Sequence, residues 1–558
     1  MNNKYRFWLF IVDITISAIL ILATICLGIF ITSKIPVVIM SCISLYIINA
    51  IIALWIVTSK IRTELTKTTW ILSFFIFPII SIVIYLLWGI APYVSRTPLE
   101  YQQRYKKYIK RYPNEEFKIN NSMYKQIAKY CEYARGVENT NNNNFELIKD
   151  QEEFFHETIK YIRSAEKTIL LSYYIIDNSR FFDKLSDELI KKAESGVKVF
   201  LMFDRYGCTN KFSPKMLFLL LKYKNIQVAK FESDKDVRGR STNNFRSHKK
   251  VLIIDGIKAI YGGSNISDEY LCIRDKYPNW MDLNFKVSGS IVKTMTIDYC
   301  MDWDINGRIP YIFQLSDYFN CYKFLKPFLF IKSYLNLYGI NHDDLCVVNK
   351  NRHISKSLLD FLEKHNLLID NNSLKEELTS DAIYIPTGPR FDNRVLNDVL
   401  NLSFVNAKQS IKIISPYFQL TDNLISSLLV AKRSGVDVEI ILPGTCDNKW
   451  FLLYMNRMAY EDLINEGVKI YEYSGFIHSK LIIIDNKMSL TGTYNLDFRS
   501  LTSNYESLLI IDGTMINESL NNYFENIKSY SLLYTLNNNN NIRENIVQTL
   551  LYLIKPLL

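Results

Sequence analysis

Residues 247–265 read SHKKVLIIDGIKAIYGGSN, and residues 477–495 read IHSKLIIIDNKMSLTGTYN. Counted from the histidine, both carry a lysine at +2, an aspartate at +7, a glycine at +14 and an asparagine at +17. The pairs are His248 and His478, Lys250 and Lys480, Asp255 and Asp485, Gly262 and Gly492, Asn265 and Asn495. Only six histidines occur in 558 residues, and two of them head this pattern. The runs KKVLIIDG and SKLIIIDN predict buried strands. Side chains at i and i+2 of a strand share a face, so each lysine reaches whatever its histidine reaches. A pair of histidines suits exchange at a phosphodiester: one attacks phosphorus and the other protonates the leaving oxygen. Lysine charge and asparagine amides then offset charge on the phosphate oxygens.

The duplication extends outward from the motifs. Residues 159–176 (IKYIRSAEKTILLSYYII) match 401–418 (NLSFVNAKQSIKIISPYF), and LIKKAESGVKVFLMFD matches LLVAKRSGVDVEIILP. Each reads as an amphipathic helix, a stop and an apolar strand, and later strands include MDLNFKVSG and YESLLIIDG. Helices alternating with buried strands predict an α/β sheet in each half. The offset between halves falls from 242 at Ala165/Ala407 to 230 at His248/His478, so the first half carries extra residues before its motif. The polar stretch SDKDVRGRSTNNFR is the place for them. Asn-rich tracts at 139–144 and 537–541 read as flexible low complexity, and IRENIVQTLLYLIKPLL as a tail helix.

Three apolar runs fill the N-terminal region: Trp8–Ile31, Pro36–Val57 and Trp70–Ile90. Each is long enough to cross about 30 Å of hydrocarbon as a helix. Trp8, Trp55, Trp70 and Trp88 stand near run ends, where interfacial anchors belong. The basic residues Arg96, Arg104, Lys106, Lys107, Lys110 and Arg111 follow the third run, and by the positive-inside rule they favour a multi-pass cell-membrane protein with cytoplasmic catalytic domains. Two or three crossings are both compatible with the runs. The formal net charge of +10 suits nucleic acid or anionic headgroups; the membrane runs favour the lipid, so no nucleic-acid partner is expected. The nine cysteines include no C-x-x-C, which argues against a zinc site or a disulfide framework. No metal and no cofactor is expected.

At these motifs the chain resembles the phospholipase D superfamily, and in detail the bacterial cardiolipin synthases. The matching stretches are TTWILSFFIFPIISIVIYLLWG, GGSNISDEY, IPTGP, SPYF, SGVDVEIILP, GVKIYEYSGFIHSK and GTYNLDFRSLTSNYE. Three membrane candidates where the family has two, Lys249 where arginine is usual, and a long segment at 305–380 depart from the pattern. The resemblance implies two tandem phospholipase D-like α/β sandwich domains, related by a pseudo-two-fold, after a helical transmembrane region. Expected boundaries are 1–92 for the membrane region, 93–145 for a basic linker, 146–304 and 381–530 for the repeats, 305–380 for a linker or insertion, and 531–558 for the tail helix.

The resemblance further implies a catalytic set of His248, Lys250, Asp255, His478, Lys480 and Asp485, with His248 as nucleophile and His478 as general acid, then base. Spacing alone leaves open which histidine attacks. Asn265 and Asn495 would bind phosphate. Asp255 and Asp485, seven residues on, read as structural caps of the strand–turn rather than as reacting groups. A histidine also wants a carboxylate on its other nitrogen. Asp282 in NWMDLNF and Glu506 in NYESL are the candidates, and in the superfamily such pairs can cross between halves, His248 with Glu506 and His478 with Asp282. His156, His342, His353 and His365 have no such company and read as ordinary surface or core histidines. The activity implied is transfer of a phosphatidyl group from one phosphatidylglycerol to another, with glycerol released. The same residues serve a phospholipase D-like hydrolase or a transferase with another acceptor. The membrane runs oppose a nuclease, and the two intact motifs oppose an inactive scaffold.

Overall fold

The computed structural model describes residues 34–58, 64–85, 98–111, 119–209, 211–231, 246–271, 280–306, 357–368, 380–389, 391, 394–445, 450–502 and 504–536. The first apolar run, residues 307–356 and the tail from 537 lie outside these, as do His342 and His353. The chain divides into an N-terminal unit and a body, Val94–Glu544.

In the N-terminal unit, the helix Lys34–Val57 holds the second apolar run, and its Ile39–Val57 portion is long and apolar enough to cross a membrane. The third run is not one uninterrupted helix. It forms Glu64–Ile76 and Pro78–Ile84, because Pro78 has no N–H for the preceding turn. Ser81 Oγ donates to Ser73 O at 2.7 Å across that break. Trp70, Phe74 and Tyr85 pack edge to face there, against Ile48, Ile52 and Ile56 of the first helix.

The body is built on β1 (Thr140–Ile148), β2 (Thr168–Tyr173), β3 (Lys198–Asp204), β4 (Ile226–Phe231), β5 (Val251–Ile254), β6 (Lys258–Gly262) and β7 (Asn284–Gly289). The second repeat supplies β8 (Ser380–Thr387), β9 (Ser410–Ile414), β10 (Asp437–Pro443), β11 (Lys469–Tyr473), β12 (Leu481–Ile484), β13 (Met488–Gly492) and β14 (Glu506–Asp512); β15 (Ser531–Leu533) follows. The sheet order is β15-β11-β10-β9-β12-β13-β14-β8-β1-β7-β6-β5-β2-β3-β4. Reading outward from the centre, β8-β14-β13-β12-β9-β10-β11 repeats β1-β7-β6-β5-β2-β3-β4 strand for strand. The two α/β repeats are therefore present, and one sheet runs through both, joined where β1 pairs antiparallel with β8. The helices Gln151–Arg163 and Arg180–Glu194 bury Phe154, Ile159, Phe181 and Leu189 on one face of the first repeat. The other core is continuous across the seam, from Val251 and Ile253 to Ile411 and Ile413.

Three segments differ from expectation. The Asn-rich tract at 139–144 is strand, not flexible chain. Asn142 takes a left-handed φ of 54° at the irregularity between Thr140 and Asn143. The buried Asn143 carboxamide donates to Thr140 O (3.0 Å) and Ser380 O (3.2 Å) and accepts from Ile291 N (2.8 Å). It joins both repeats to the first residue of the helix Ile291–Asn306. Residues 93–145 are likewise more than linker: the helix Pro98–Arg111 buries Tyr105, Tyr108 and Ile109 in the body's core. Arg104 pairs with Asp304, and Arg111 lies 2.9 Å from both Asp360 and Glu363, so two of the residues counted for orientation serve the fold. Finally, the first residues of the expected tail helix are a strand, β15, paired antiparallel with β11.

Asn143→Leu is expected to destabilise the body by about 2–4 kcal/mol, because it strands several buried partners. Asn144→Thr next to it should cost less than about 0.5 kcal/mol. Chemical denaturation followed by tryptophan fluorescence separates the two; equal losses would contradict the role given to Asn143.

Candidate active site

Each histidine is held by the main chain of the opposite repeat. Ser247 and Tyr505 form one isolated parallel bridge, and Met281 and Ile477 form another. The His248 amide donates to Tyr505 O at 2.8 Å, and the Tyr505 amide to Arg246 O at 2.7 Å. The His478 amide donates to Met281 O at 2.7 Å, and the Met281 amide to Phe476 O at 3.1 Å. The residue after Tyr505 is Glu506, and the residue after Met281 is Asp282. These bridges therefore bring each carboxylate to the histidine of the other half: His248 Nδ1 lies 3.1 Å from Glu506 Oε1, and His478 Nδ1 lies 2.6 Å from Asp282 Oδ2. An Nδ1–H that donates to a carboxylate leaves Nε2 with its lone pair.

The carboxylates are fully buried and held. Glu506 accepts from Thr493 Oγ1 (2.8 Å), Ser500 Oγ (2.9 Å) and Asn504 Nδ2 (3.3 Å). Asp282 accepts from Leu283 N at 2.9 Å. Burial alone would raise both carboxyls, yet each is held below its usual range: Asp282 by His478, Lys480 and the Leu283 amide, Glu506 by His248, Lys250 and Thr493. The glycines are matters of close approach. A Cβ on Gly262 would meet Leu283 O at 2.4 Å, one on Gly492 would meet Ser507 O at 2.2 Å, and one on Gly263 would meet Asp282 Oδ1 at 2.0 Å.

Lys250 and Lys480 share the faces of their histidines. Lys250 Nζ donates to His248 O at 2.7 Å, and Lys480 Nζ lies 2.8 and 3.0 Å from the two ring nitrogens of His478. Burial lowers the Lys250 ammonium, against the pull of Glu506 and Asp282. Burial, with Lys250 adding to it and Asp282 opposing, brings Lys480 down to about 7. Burial and the Lys480 charge take His478 down to about 4 despite Asp282. Each lysine acts on both carboxylates, so the two motifs form one electrostatic site.

Asn265 Oδ1 accepts from Ile175 N at 3.0 Å, and its Nδ2 donates to Tyr270 OH at 2.6 Å. Asn495 is buried, and its Oδ1 has no hydrogen-bond partner among the described residues. Asp255 and Asp485 stand apart from the histidines, at the far ends of β5 and β12. Both have left-handed φ, 54° and 53°. The Asp255 carboxylate accepts from the amides of Glu166, Lys167 and Thr168, and that of Asp485 from Lys408, Gln409 and Ser410. They staple the turns that enter β2 and β9, a structural place apart from the reacting groups with which the resemblance groups them. Lys249 faces away from the site, buried 2.7 Å from both Asp298 and Asp302. His156 and His365 are exposed.

Several neighbours of the histidines were not singled out from sequence. Tyr174 covers His248 at 4.2 Å between ring centroids, and Trp280 lies 5.3 Å from His478. Asp204 accepts the Ser247 amide at 2.9 Å, one residue before His248. Thr493, Ser500 and Asn504 all lie within GTYNLDFRSLTSNYE, but only the fold tells that they point at Glu506.

Residues 158–280 and 403–528 match the family described as cardiolipin synthase, phospholipase D-like domain. A cardiolipin synthase of Clostridium perfringens is 27% identical over 83% of this chain and 87% of its own. Cardiolipin synthase A of Buchnera aphidicola is 27% identical over 90% of this chain and 94% of its own. The crystal structure of phosphatidylserine synthase from Haemophilus influenzae superposes with a TM-score of 0.52 at 15% identity, covering 78% of this chain and all of that one, so the fold is shared. With the domain matched once in each repeat, and relatives that align with 83% and 90% of the chain, the chain belongs to the cardiolipin synthase family of the phospholipase D superfamily.

Proposed function

We propose that the protein is a membrane-anchored phosphatidyltransferase that makes cardiolipin and glycerol from two molecules of phosphatidylglycerol. The observation that carries this reading is the crossed pair of histidine–carboxylate contacts, which presents two Nε2 atoms to one lysine-lined site. In the first step His248 Nε2 forms a bond to phosphorus as the P–O bond to the glycerol headgroup breaks. His478 gives its proton to the departing oxygen, since a glycerol alkoxide leaves poorly. In the second step the terminal hydroxyl of another phosphatidylglycerol loses its proton to His478, its oxygen bonds to phosphorus, and the bond to His248 breaks. Lys250, Lys480, Asn265 and Asn495 hold the non-bridging oxygens, while Glu506 and Asp282 fix the tautomers. The names of the relatives support phosphatidylglycerol as substrate, and the helix Lys34–Val57 supports a membrane anchor. A multi-pass topology with the body on the cytoplasmic side is part of this proposal.

Held down to about 4, His478 is neutral at pH 7, so the acid of the first step needs a proton taken up from solvent as substrate binds. A phosphodiester anion between the lysines raises both His478 and Lys480, and binding takes up protons. The sign for Lys480 follows: its charge is present below about 7 and lost as pH rises through it. Affinity for glycerophosphoglycerol, a monoanion throughout, is expected to fall by about tenfold between pH 7 and 8.5. Lys480→Arg should flatten that dependence. A flat profile in the unaltered protein would sink the argument.

His248→Ala and His478→Ala are each expected to abolish turnover while leaving the fold intact, and the double variant should be no worse than either. Rapid quenching with labelled phosphatidylglycerol should trap an acid-labile, base-stable adduct in the unaltered protein and, briefly, in His478→Ala, but not in His248→Ala. An adduct that persists in His248→Ala and vanishes in His478→Ala reverses the two roles.

Deleting residues 1–92 should yield a more soluble body that acts on short-chain phosphatidylglycerol and poorly on vesicles. Complete sedimentation of the truncated protein with membranes would move the anchor elsewhere.

A further inference from the structure

The histidine–lysine pairs stand just outside the sheet. Residues 248–250 precede β5 and residues 478–480 precede β12, so the ladder that fixes Val251 and Leu481 does not reach them. The amides of His248 and His478 are held from the opposite repeat. The residue between each histidine and its lysine is held from behind, and in both copies by the helix that follows the last strand of its own repeat. Ser479 Oγ lies 2.6 Å from Tyr523 OH, on the helix Thr514–Ser529. Lys249 Nζ donates to Asp298 Oδ1 and to Asp302 Oδ2, both at 2.7 Å, on the helix Ile291–Asn306. These two carboxylates stand one helical turn apart, so they close on the ammonium from one face. Asp298 Oδ2 also accepts the hydroxyl of Tyr384 at 2.8 Å, from β8 of the second repeat. The helix itself is fixed at its first residue by Asn143 and near its last by Arg104, which pairs with Asp304.

Lys249, Asp298 and Asp302 are all buried. Burial works against the Lys249 ammonium, yet the two carboxylates hold it above its ordinary value, so it stays charged. A buried ion cluster gains little stability over apolar side chains of the same volume, whereas its charge-assisted bonds fix position closely. A neutral pair of hydroxyls is a weaker tether. The two copies therefore share the device but not its stiffness. The stiffer one backs the histidine that attacks in the reaction proposed above, on which this inference rests. The demands on the two histidines differ in the same sense. Attack on phosphorus needs Nε2 in line with the bond that breaks, at about 3–3.5 Å. His478 passes a proton along a hydrogen bond, which tolerates more. We propose that Lys249, clamped by Asp298 and Asp302, is a positioning residue: it fixes the chain between His248 and Lys250 against the helix Ile291–Asn306 and so sets the line along which His248 meets phosphorus.

Rapid quenching with labelled phosphatidylglycerol reads two quantities that separate this role from a merely structural one. The amplitude of the adduct counts the sites able to react, and its rate reports attack within each. In Lys249→Met the rate, and kcat with it, is expected to fall by about tenfold or more at unchanged amplitude and nearly unchanged KM. Lys249→Arg can bridge both carboxylates and should recover most of the rate. Lys249→Met takes the counter-charge from two buried carboxylates; should it fail to fold, the combined variant Lys249→Met, Asp298→Asn, Asp302→Leu decides. That variant buries no charge at this place and should fold, and the same fall in rate is expected of it. A fall in amplitude with the rate per site unchanged, as a structural role alone would give, overturns the proposal. So does an unchanged rate in the folded variants. Absence of any adduct on His248 in the unaltered protein sinks the two-histidine transfer and the positioning role with it.

Discussion

Two isolated backbone bridges, Ser247 with Tyr505 and Met281 with Ile477, set the relation between the repeats at the point where it matters. Each is short, and each is flanked by a histidine of one half and a carboxylate of the other. The arrangement makes neither half a complete site. His248 takes its carboxylate from the second repeat, and His478 takes its own from the first. The continuous sheet through β1 and β8 and the shared core behind it hold this pairing in register, and Asn143 carries the join to the helix Ile291–Asn306. Sheet, core and cap act together to keep two Nδ1–carboxylate contacts crossed.

The electrostatics follow from that geometry. Two lysines, two histidines and two carboxylates occupy a nearly dry site, where an unpaired charge is costly. Burial pushes the lysines and His478 toward their neutral forms, and the carboxylates hold part of the charge in place. A site so balanced is short of negative charge. A phosphodiester supplies it and lets His478 take from solvent the proton it needs as an acid. Binding and activation are then one event, which suits an enzyme whose second step must use a lipid hydroxyl and not water.

Much of this was legible in the residues because duplication writes the same constraint twice. A repeated interval of two residues on a strand puts histidine and lysine on one face, and the alternation of amphipathic helix and apolar strand gives the α/β class. The +14 glycines have a steric reason that spacing alone does not disclose: each backs onto a carbonyl of the next strand. What could not be read was long-range. Nothing local in an Asn-rich tract says that Asn143 will be buried at a seam 237 residues from its partner Ser380. Nor does a basic segment announce that Arg104 and Arg111 pair with the body. Low complexity predicts flexibility only where the side chains find no partners; here the fold supplies them.

Duplication also explains why the histidines are not equivalent. In the proposed reaction the motif residues match because both copies act on one phosphate. The residues around them are free to diverge, and they diverge in opposite directions at matching positions. Tyr270 corresponds to Ser500, and Trp280 to Asn504. Hydroxyl and amide donors gather on Glu506, while aromatic rings gather around Asp282 and His478. The carboxylate facing His248 is therefore fixed by several hydrogen bonds, and the imidazole facing Asp282 is kept dry. In the proposed reaction the anchored carboxylate keeps the His248 ring oriented for attack through Nε2, whereas burial holds His478 neutral until it takes up a proton from solvent with substrate bound. On the proposed mechanism, the division of labour between nucleophile and acid–base lies in what surrounds the two motifs, because the motifs themselves are the same.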